Sequence, residues 1–196
     1  MRTLITEFIS LDGVVQAPGG ASEDTDGGFS HGGWSMQYFD PVVMGGAYTD
    51  LAMHSDALLQ GRRTYQASAA AWPGRSGDPF TDWINRVQKY VVSSTLTDED
   101  ITWNPTTIIR GHDLVRTVSG LRAQPGGYIY VYGSAMMVRS LLEADLVDEL
   151  VLTIEPIILG GGKTIFAQNG QAIPFTLEST TRASTGAQVC RYVRSR

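Results

Sequence analysis

The stretch YIYVYGSAMMVRSLL, residues 128–142, contains the change of pattern that decides the fold. Its first five residues are aromatic or β-branched, which is typical of a short buried strand, and a Pro-Gly-Gly turn precedes them. From Met136 onward, apolar residues recur at helical spacing. The stretch therefore predicts a strand, a turn at Gly133 and a helix that is capped by Ser134.

A strand that passes through a glycine turn into a helix is one way in which proteins bind phosphate. The N–H groups of the first helical turn point toward the ligand, and Gly133 has no side chain to obstruct its approach. The same pattern is found in any tight connection between a strand and a helix. Alone it leaves both interpretations open.

The composition indicates an ordinary folded protein with a slight acidic excess. A chain of 196 residues predicts one domain, residues 1–196, and 42% hydrophobic with 18% charged residues is typical of globular proteins. The formal net charge of −5 argues against nucleic acid or an anionic membrane as a partner. The first residues lack the pattern of a signal peptide, and no apolar run approaches a membrane span. We expect a cytoplasmic protein.

Strand and helix patterns alternate through most of the chain. The predicted strands are 3–10, 57–60, 88–95, 106–111, 128–132 and 148–162, the helices are 43–54, 64–71, 81–87 and 112–123, and a hairpin, 174–184 with 187–195, closes the chain. This order predicts an α/β class with a mixed, mainly parallel sheet.

The glycine-rich segment 11–34 is long for a loop within one domain. We interpret it as a lid or as a loop that packs beside a ligand. A disordered surface insertion is the alternative, against which several aromatic residues argue because they need burial: Phe29, Trp34, Tyr38 and Phe39.

Three predicted strand ends carry glycine, hydroxyl or arginine side chains. Ligands of open parallel sheets bind at the carboxyl ends of the strands, and these residue types suit phosphate oxygens. The pattern predicts a ligand with several phosphates, held by Gly61-Arg62-Arg63-Thr64, Ser93-Ser94 and Gly133-Ser134-Ala135.

The order of five motifs resembles the dihydrofolate reductase fold. The closest resemblance is to the branch typified by the reductase domain of the bifunctional riboflavin-biosynthesis deaminase/reductase, and it extends from Arg2 to Arg194. It implies a single-domain dihydrofolate reductase-like fold with an eight-stranded sheet flanked by helices, NADPH as cofactor and a homodimer. The motifs are SLDG at 10–13, LLQGRRTY at 58–65, YVVSS at 90–94, YVYGSAMMVRSLL at 130–142 and DELVLTIEPIILGGGKTIF at 148–166.

The resemblance also implies roles for the residues in these motifs. Gly61, Arg62 and Thr64 would hold the cofactor phosphates, with Arg62 near the 2′-phosphate. Ser93 and Ser94 would border the adenosine side of the cofactor. Gly133, Ser134 and Ala135 would border the pyrophosphate. Leu11, Asp12 and Gly13 would border the nicotinamide.

Departures from the family pattern bear on the substrate. Dihydrofolate reductases carry a carboxylate early in the first helix, but residues 44–47 contain none and Asp50 lies too far along. Thr153 matches the threonine beside that carboxylate, whereas Glu155 and the glycines after it resemble the riboflavin branch. The zinc motif of the deaminase half is missing, and no metal is expected.

These observations predict an NADPH-dependent reductase that transfers hydride to a C=N or C=O bond of a small heterocyclic or sugar-derived substrate, and not to dihydrofolate. Asp12 is the first candidate for the proton donor, Glu155 the second and water the third; Thr153 is a further candidate for a catalytic role. The alternative is a nucleotide-binding or interaction protein without catalysis, since only one glycine remains in the turn at Gly133.

Overall fold

The computed structural model describes residues 1–195. The strands are β1 (Arg2–Ser10), β2 (Ser55–Gly61), β3 (Gln88–Val92), β4 (Thr106–Ile109), β5 (Tyr128–Val131), β6 (Glu149–Glu155), β7 (Phe175–Arg182) and β8 (Gln188–Arg194). The helices are α1 (Val43–Met53), α2 (Arg62–Ala71), α3 (Pro79–Arg86), α4 (Leu114–Arg122) and α5 (Ala135–Glu143). Within this part of the chain, no helix combines the length and the apolar character that crossing a membrane requires.

All eight strands form one sheet in the order β4-β3-β2-β5-β1-β6-β8-β7. The first six strands are parallel, and β8 runs antiparallel to both β6 and β7. The predicted α/β class, the eight strands and the closing hairpin are therefore confirmed. Because β1 lies between β5 and β6, the carboxyl ends of these three strands meet at one edge.

Alternation along the strands divides the core into two layers. Ile5, Leu59 and Val131 face α4 and α5, whereas their neighbours Leu4 and Leu58 face the layer of α1, α2 and α3. Neighbouring positions along a strand therefore lie on opposite faces, and this alternation decides which side chains at the carboxyl edge share a face.

The segment 148–162, predicted as one extended run, forms a strand only as far as Glu155. Pro156 follows and has no N–H group with which to continue the ladder. Beyond it, the N–H groups of Leu159 and Gly160 donate to the carboxylate of Asp12 at 3.1 and 2.8 Å. These bonds turn the chain toward the end of β1.

The segment 11–34 is a folded loop and not a disordered insertion, and it is organised around the buried side chain of Gln16. The amide of Gln16 donates to the carbonyls of Asp24 and Asp26 at 3.1 Å each, and its Oε1 accepts the Lys163 N–H at 3.1 Å. Trp34 is buried and donates to the Gln16 carbonyl. The expectation of burial is wrong for Phe39, which is 42% exposed.

Candidate active site

The ends of β2 and β5 approach so closely that only glycine fits at two positions. A Cβ atom on Gly61 would lie 2.9 Å from Ser134 Cβ and 3.1 Å from its backbone nitrogen. A Cβ atom on Gly133 would lie 2.6 Å from Thr64 Oγ1, and Gly133 has a φ of +59°. We call Gly61, Thr64, Gly133 and Ser134 the glycine cradle; four of the residues predicted to hold a cofactor thus lie together.

Ser134 precedes the first residue of α5, Ala135, but its hydroxyl makes no capping hydrogen bond. Ser134 therefore occupies the predicted N-cap position, but its side chain does not form the hydrogen bond of a cap. Its hydroxyl lies against Gly61 instead, while the Ser134 carbonyl accepts the N–H of Val138 at 3.0 Å. The N–H groups of the first turn of α5 consequently lack a cap from Ser134.

The two serines after β3 differ in their environment: the hydroxyl of Ser93 is bonded to the chain, and Ser94 is exposed. Ser93 is buried, and its Oγ accepts the N–H groups of Thr95 and Leu96 at 3.1 and 2.9 Å. Ser94 is exposed. Of the two predicted cofactor contacts, Ser94 has the better placed side chain, because the Ser93 hydroxyl already stabilises a turn.

The two arginines at the start of α2 differ in their contacts. Arg62 makes one hydrogen bond within its own helix, at 3.3 Å to Gln66 Oε1. Arg63 is paired with both Asp24 and Asp26 of the folded loop.

Glu155, the last residue of β6, is a fully buried carboxyl group. Its Oε1 accepts the Ser35 hydroxyl at 2.6 Å, and its Oε2 has no hydrogen-bond partner among residues 1–195. Burial raises the pKa of Glu155 to about 7, although the bond from Ser35 partly offsets this. Near neutral pH this carboxyl can hold or release a proton.

Thr153 lies two residues before Glu155 and on the same face of the sheet. Its hydroxyl makes a short hydrogen bond with the hydroxyl of Tyr48, which projects from α1. Burial raises the pKa of Tyr48, so this phenol stays neutral. The position beside Thr153 is thus occupied by a neutral phenol.

The acids near the predicted catalytic positions are engaged elsewhere. Asp12 accepts the Ser10 hydroxyl at 2.6 Å besides the two N–H groups that turn the chain after β6, and the Ser10 bond foremost lowers its pKa. Asp40, just before α1, accepts the hydroxyl and N–H of Ser184 on one oxygen and two helix N–H groups on the other. These bonds, that from the Ser184 hydroxyl first, lower the pKa of Asp40 to about 2. The geometry therefore favours Glu155 over Asp12 as a proton donor.

Glu7 is a buried acid of β1 that the sequence analysis did not assign to the site. Its Oε1 accepts the Gly133 N–H at 3.0 Å, so it supports the glycine cradle from within the sheet. Burial raises the pKa of Glu7 to about 8. The sequence feature that could have identified Glu7 is its position as an acid within the apolar run of the first strand.

Replacing Glu7 with Gln is expected to stabilise the protein at pH 8 and to have little effect at pH 5. In the unfolded chain Glu7 ionises near its ordinary pKa of 4.5, but in the folded protein it ionises near 8. The free energy of unfolding therefore falls as pH rises from about 4.5 to about 8, by on the order of a few kcal/mol in total. Gln keeps an oxygen for the Gly133 N–H and cannot ionise. Urea unfolding of both proteins at each pH measures the difference, and an equal pH dependence for both would contradict the assignment.

Comparison with known proteins agrees with this architecture. The protein YyaP of Bacillus subtilis (strain 168) is 27% identical over 190 residues, which span 94% of this chain and 90% of YyaP. A protein of Shewanella sp. PV-4, provisionally named for riboflavin biosynthesis, has a TM-score of 0.76 at 22% identity, and both chains are covered completely. Dihydrofolate reductase from Enterococcus faecalis, solved with NADP(H), has a TM-score of 0.63 at 13% identity, covering 100% of this chain and 97% of that one.

The two solved structures confirm the dihydrofolate reductase-like fold that the sequence resemblance implied. Residues 3–189 match the model of the family described as RibD C-terminal domain, which is almost the whole chain. This chain therefore belongs to the RibD C-terminal domain family.

Proposed function

We propose that this protein is an NADPH-dependent reductase that acts on a C=N or C=O bond of a small heterocyclic or sugar-derived substrate. Membership of the RibD C-terminal domain family supports a reductase-type function. The observation that carries the proposal further is the buried Glu155, whose Oε2 lacks a partner among residues 1–195 and which ends a strand at the same edge as the glycine cradle. One strand, β1, separates β6 from β5, and Glu155 also lies further along the strand direction, because it pairs with Ser10 of β1 whereas Val131 of β5 pairs with Ile5.

The glycine cradle fits the phosphates of a dinucleotide. The helices α2 and α5 both begin there, and neither receives a side-chain hydrogen bond from its N-cap residue. Their first N–H groups are therefore available to an anion, to which the helix dipoles add. Arg62 stands at the start of α2, where its guanidinium suits a further phosphate.

When bound, NADPH supplies the hydride. Glu155 would hold the accompanying proton and donate it from Oε2 to the nitrogen or oxygen of the reduced bond, since its pKa lies near the working pH. Ser35 fixes the other carboxyl oxygen and thereby orients the group. Thr153 and Tyr48 present neutral hydroxyls on the same face, which suits an uncharged polar ring.

Dihydrofolate is not the proposed substrate. The nearest acid before α1, Asp40, has both carboxylate oxygens bonded to the chain, and a Tyr48 hydroxyl pairs with Thr153. Turnover of NADPH with dihydrofolate at neutral pH, assayed beside pyrimidine-ribose compounds, tests this choice. Appreciable dihydrofolate reduction would refute it.

Titration with NADPH and with NADH, followed by cofactor fluorescence and thermal shift, is the direct test of cofactor binding. Stabilisation by NADPH above NADH is expected. If neither nucleotide binds, the reductase proposal fails; if NADPH binds but no compound of either class is reduced, a binding protein without catalysis is favoured.

Replacing Arg62 with Met is expected to weaken NADPH binding about tenfold and to leave NADH binding almost unchanged. The expectation follows from losing one charge-assisted contact to the phosphate that distinguishes the two cofactors. The matched control is Arg116→Met, because Arg116 is an exposed arginine of α4 that pairs only with Asp113 in the described contacts. An equal loss for both nucleotides would contradict the role given to Arg62.

A further inference from the structure

The folded loop carries two acids that form ion pairs with both sides of the carboxyl edge. Asp24 and Asp26 contact Arg63 of α2, with Asp24 at 3.0 Å. Both also contact Lys163, which follows β6, with Asp26 at 2.8 Å. Two cations from segments a hundred residues apart are thus joined through one short acidic segment.

One of these cations adjoins the proposed cofactor site. Arg63 is the second residue of α2, between Arg62 and the cradle residue Thr64. The side chains of Asp24 and Lys163 are 18% and 31% exposed, whereas those of Arg63 and Asp26 are each 46% exposed, so most of these contacts remain open to solvent. The acids therefore engage the guanidinium of the residue that separates Arg62 from the glycine cradle.

One of these pairs, Asp26 with Lys163, lies in the wall of an open cavity of about 500 Å³ between the folded loop and the glycines after β6. Asp26 and Lys163 both line it, together with Phe29 and His31. Asp26 therefore belongs both to the ion pair with Arg63 and to the wall of this cavity.

We propose that Asp24 and Asp26 form an acidic latch, which holds the loop of residues 16–33 closed across the site and which phosphate groups of a bound ligand release by replacing the carboxylates at Arg63. A guanidinium binds phosphate and carboxylate through the same fork of N–H donors, so the two compete for it. The identity of the ligand rests on the proposed function; the closure of the loop by the latch does not.

The double variant Asp24→Asn/Asp26→Asn tests the latch in two ways. Without ligand, amide hydrogen exchange of residues 16–33 is expected to become faster, because the ion pairs that hold the loop are lost. With ligand, NADPH and inorganic pyrophosphate are expected to bind about 3- to 10-fold more tightly than to the wild type at low salt, given the usual strength of exposed ion pairs. The gain is expected to shrink in 0.5 M NaCl.

The control is Asp50→Asn/Glu143→Gln, which removes the same charge at exposed positions near the ends of α1 and α5. These helix ends lead into the starts of β2 and β6, at the opposite edge of the sheet. This control variant should show the same amide hydrogen exchange in residues 16–33 and the same binding of NADPH and pyrophosphate as the wild type.

Unchanged exchange of residues 16–33 in the latch variant would overturn the closure, even if no dinucleotide binds. Weaker binding of NADPH and pyrophosphate, or binding of neither to any of the proteins, would overturn the competition. If NADPH binds to none of the proteins but pyrophosphate binds more tightly to the latch variant than to the wild type, the result would count against the proposed cofactor and in favour of the latch.

Discussion

Replacing Glu155 with Gln is expected to lower kcat for NADPH-dependent reduction by about 10²- to 10⁴-fold, the usual contribution of a positioned general acid. Gln has nearly the same shape and can still accept the Ser35 hydroxyl, so folding and cofactor binding should persist. What is lost is the proton on Oε2. Steady-state kinetics at neutral pH, with cofactor affinity measured separately, distinguish this loss from a loss of binding.

The pH dependence gives the same residue a second signature. Burial raises the pKa of Glu155 to about 7, and in the proposed mechanism the active form is the protonated one. In the wild type, kcat should therefore fall as pH rises through 7, and the residual activity of the Glu155→Gln variant should lack this limb. An unchanged kcat or an unchanged pH profile would show that the proton comes from elsewhere.

Ser35→Ala provides the matched control, because the Ser35 hydroxyl donates to Glu155 and is proposed to act through that bond. Its hydrogen bond lowers the pKa of Glu155, so its removal should move the falling limb to higher pH. The activity at low pH should change much less than in Glu155→Gln. A large loss of activity without a shift of the profile would contradict this positioning role.

The sequence was sufficient to predict most of the sheet and the glycine cradle. Both depend on local patterns: the alternation in 128–132, the glycine turns at Gly61 and Gly133, and the helices that follow them directly. A parallel sheet then brings the strand ends to one edge whatever the details of packing. The cradle was therefore predictable from elements that lie more than sixty residues apart.

The partners within the site were not predictable in the same way. Ser35 meets Glu155 across 120 positions, Tyr48 meets Thr153 across 105, and Glu7 meets Gly133 across 126. The periodicity of apolar residues does not predict such pairs, because they depend on how a long loop and a helix pack onto the sheet.

Local patterns also do not distinguish a hydroxyl that serves the chain from one that is free for a ligand. Ser93 and Ser94 are identical in sequence terms, yet Ser93 accepts two N–H groups of its own turn. Asp12 illustrates the same limit. Its place beside the first turn suggested chemistry, whereas its contacts show a carboxylate that joins two loops.

Replacing Gly61 with Ala is expected to lower cofactor affinity by more than tenfold and the free energy of unfolding by about 1–3 kcal/mol, the usual cost of overpacking. Rotation of the Ser134 hydroxyl cannot relieve the contact, because the new methyl group would also lie 2.9 Å from Ser134 Cβ and 3.1 Å from its nitrogen. The ends of β2 and β5 must then separate, and the first turns of α2 and α5 separate with them. Titration with NADPH and urea unfolding measure the two effects.

The backbone conformation of Gly61 is extended, with φ of −73° and ψ of 160°, which alanine adopts freely, so the expected damage is purely steric. Gly120→Ala in α4 is the matched control, since a Cβ atom there meets nothing within 4 Å. It should stabilise the protein by about 0.5–1 kcal/mol, the helix preference for alanine, and leave NADPH binding unchanged. Wild-type affinity in Gly61→Ala would mean that the close approach of the two strand ends does not form the phosphate site.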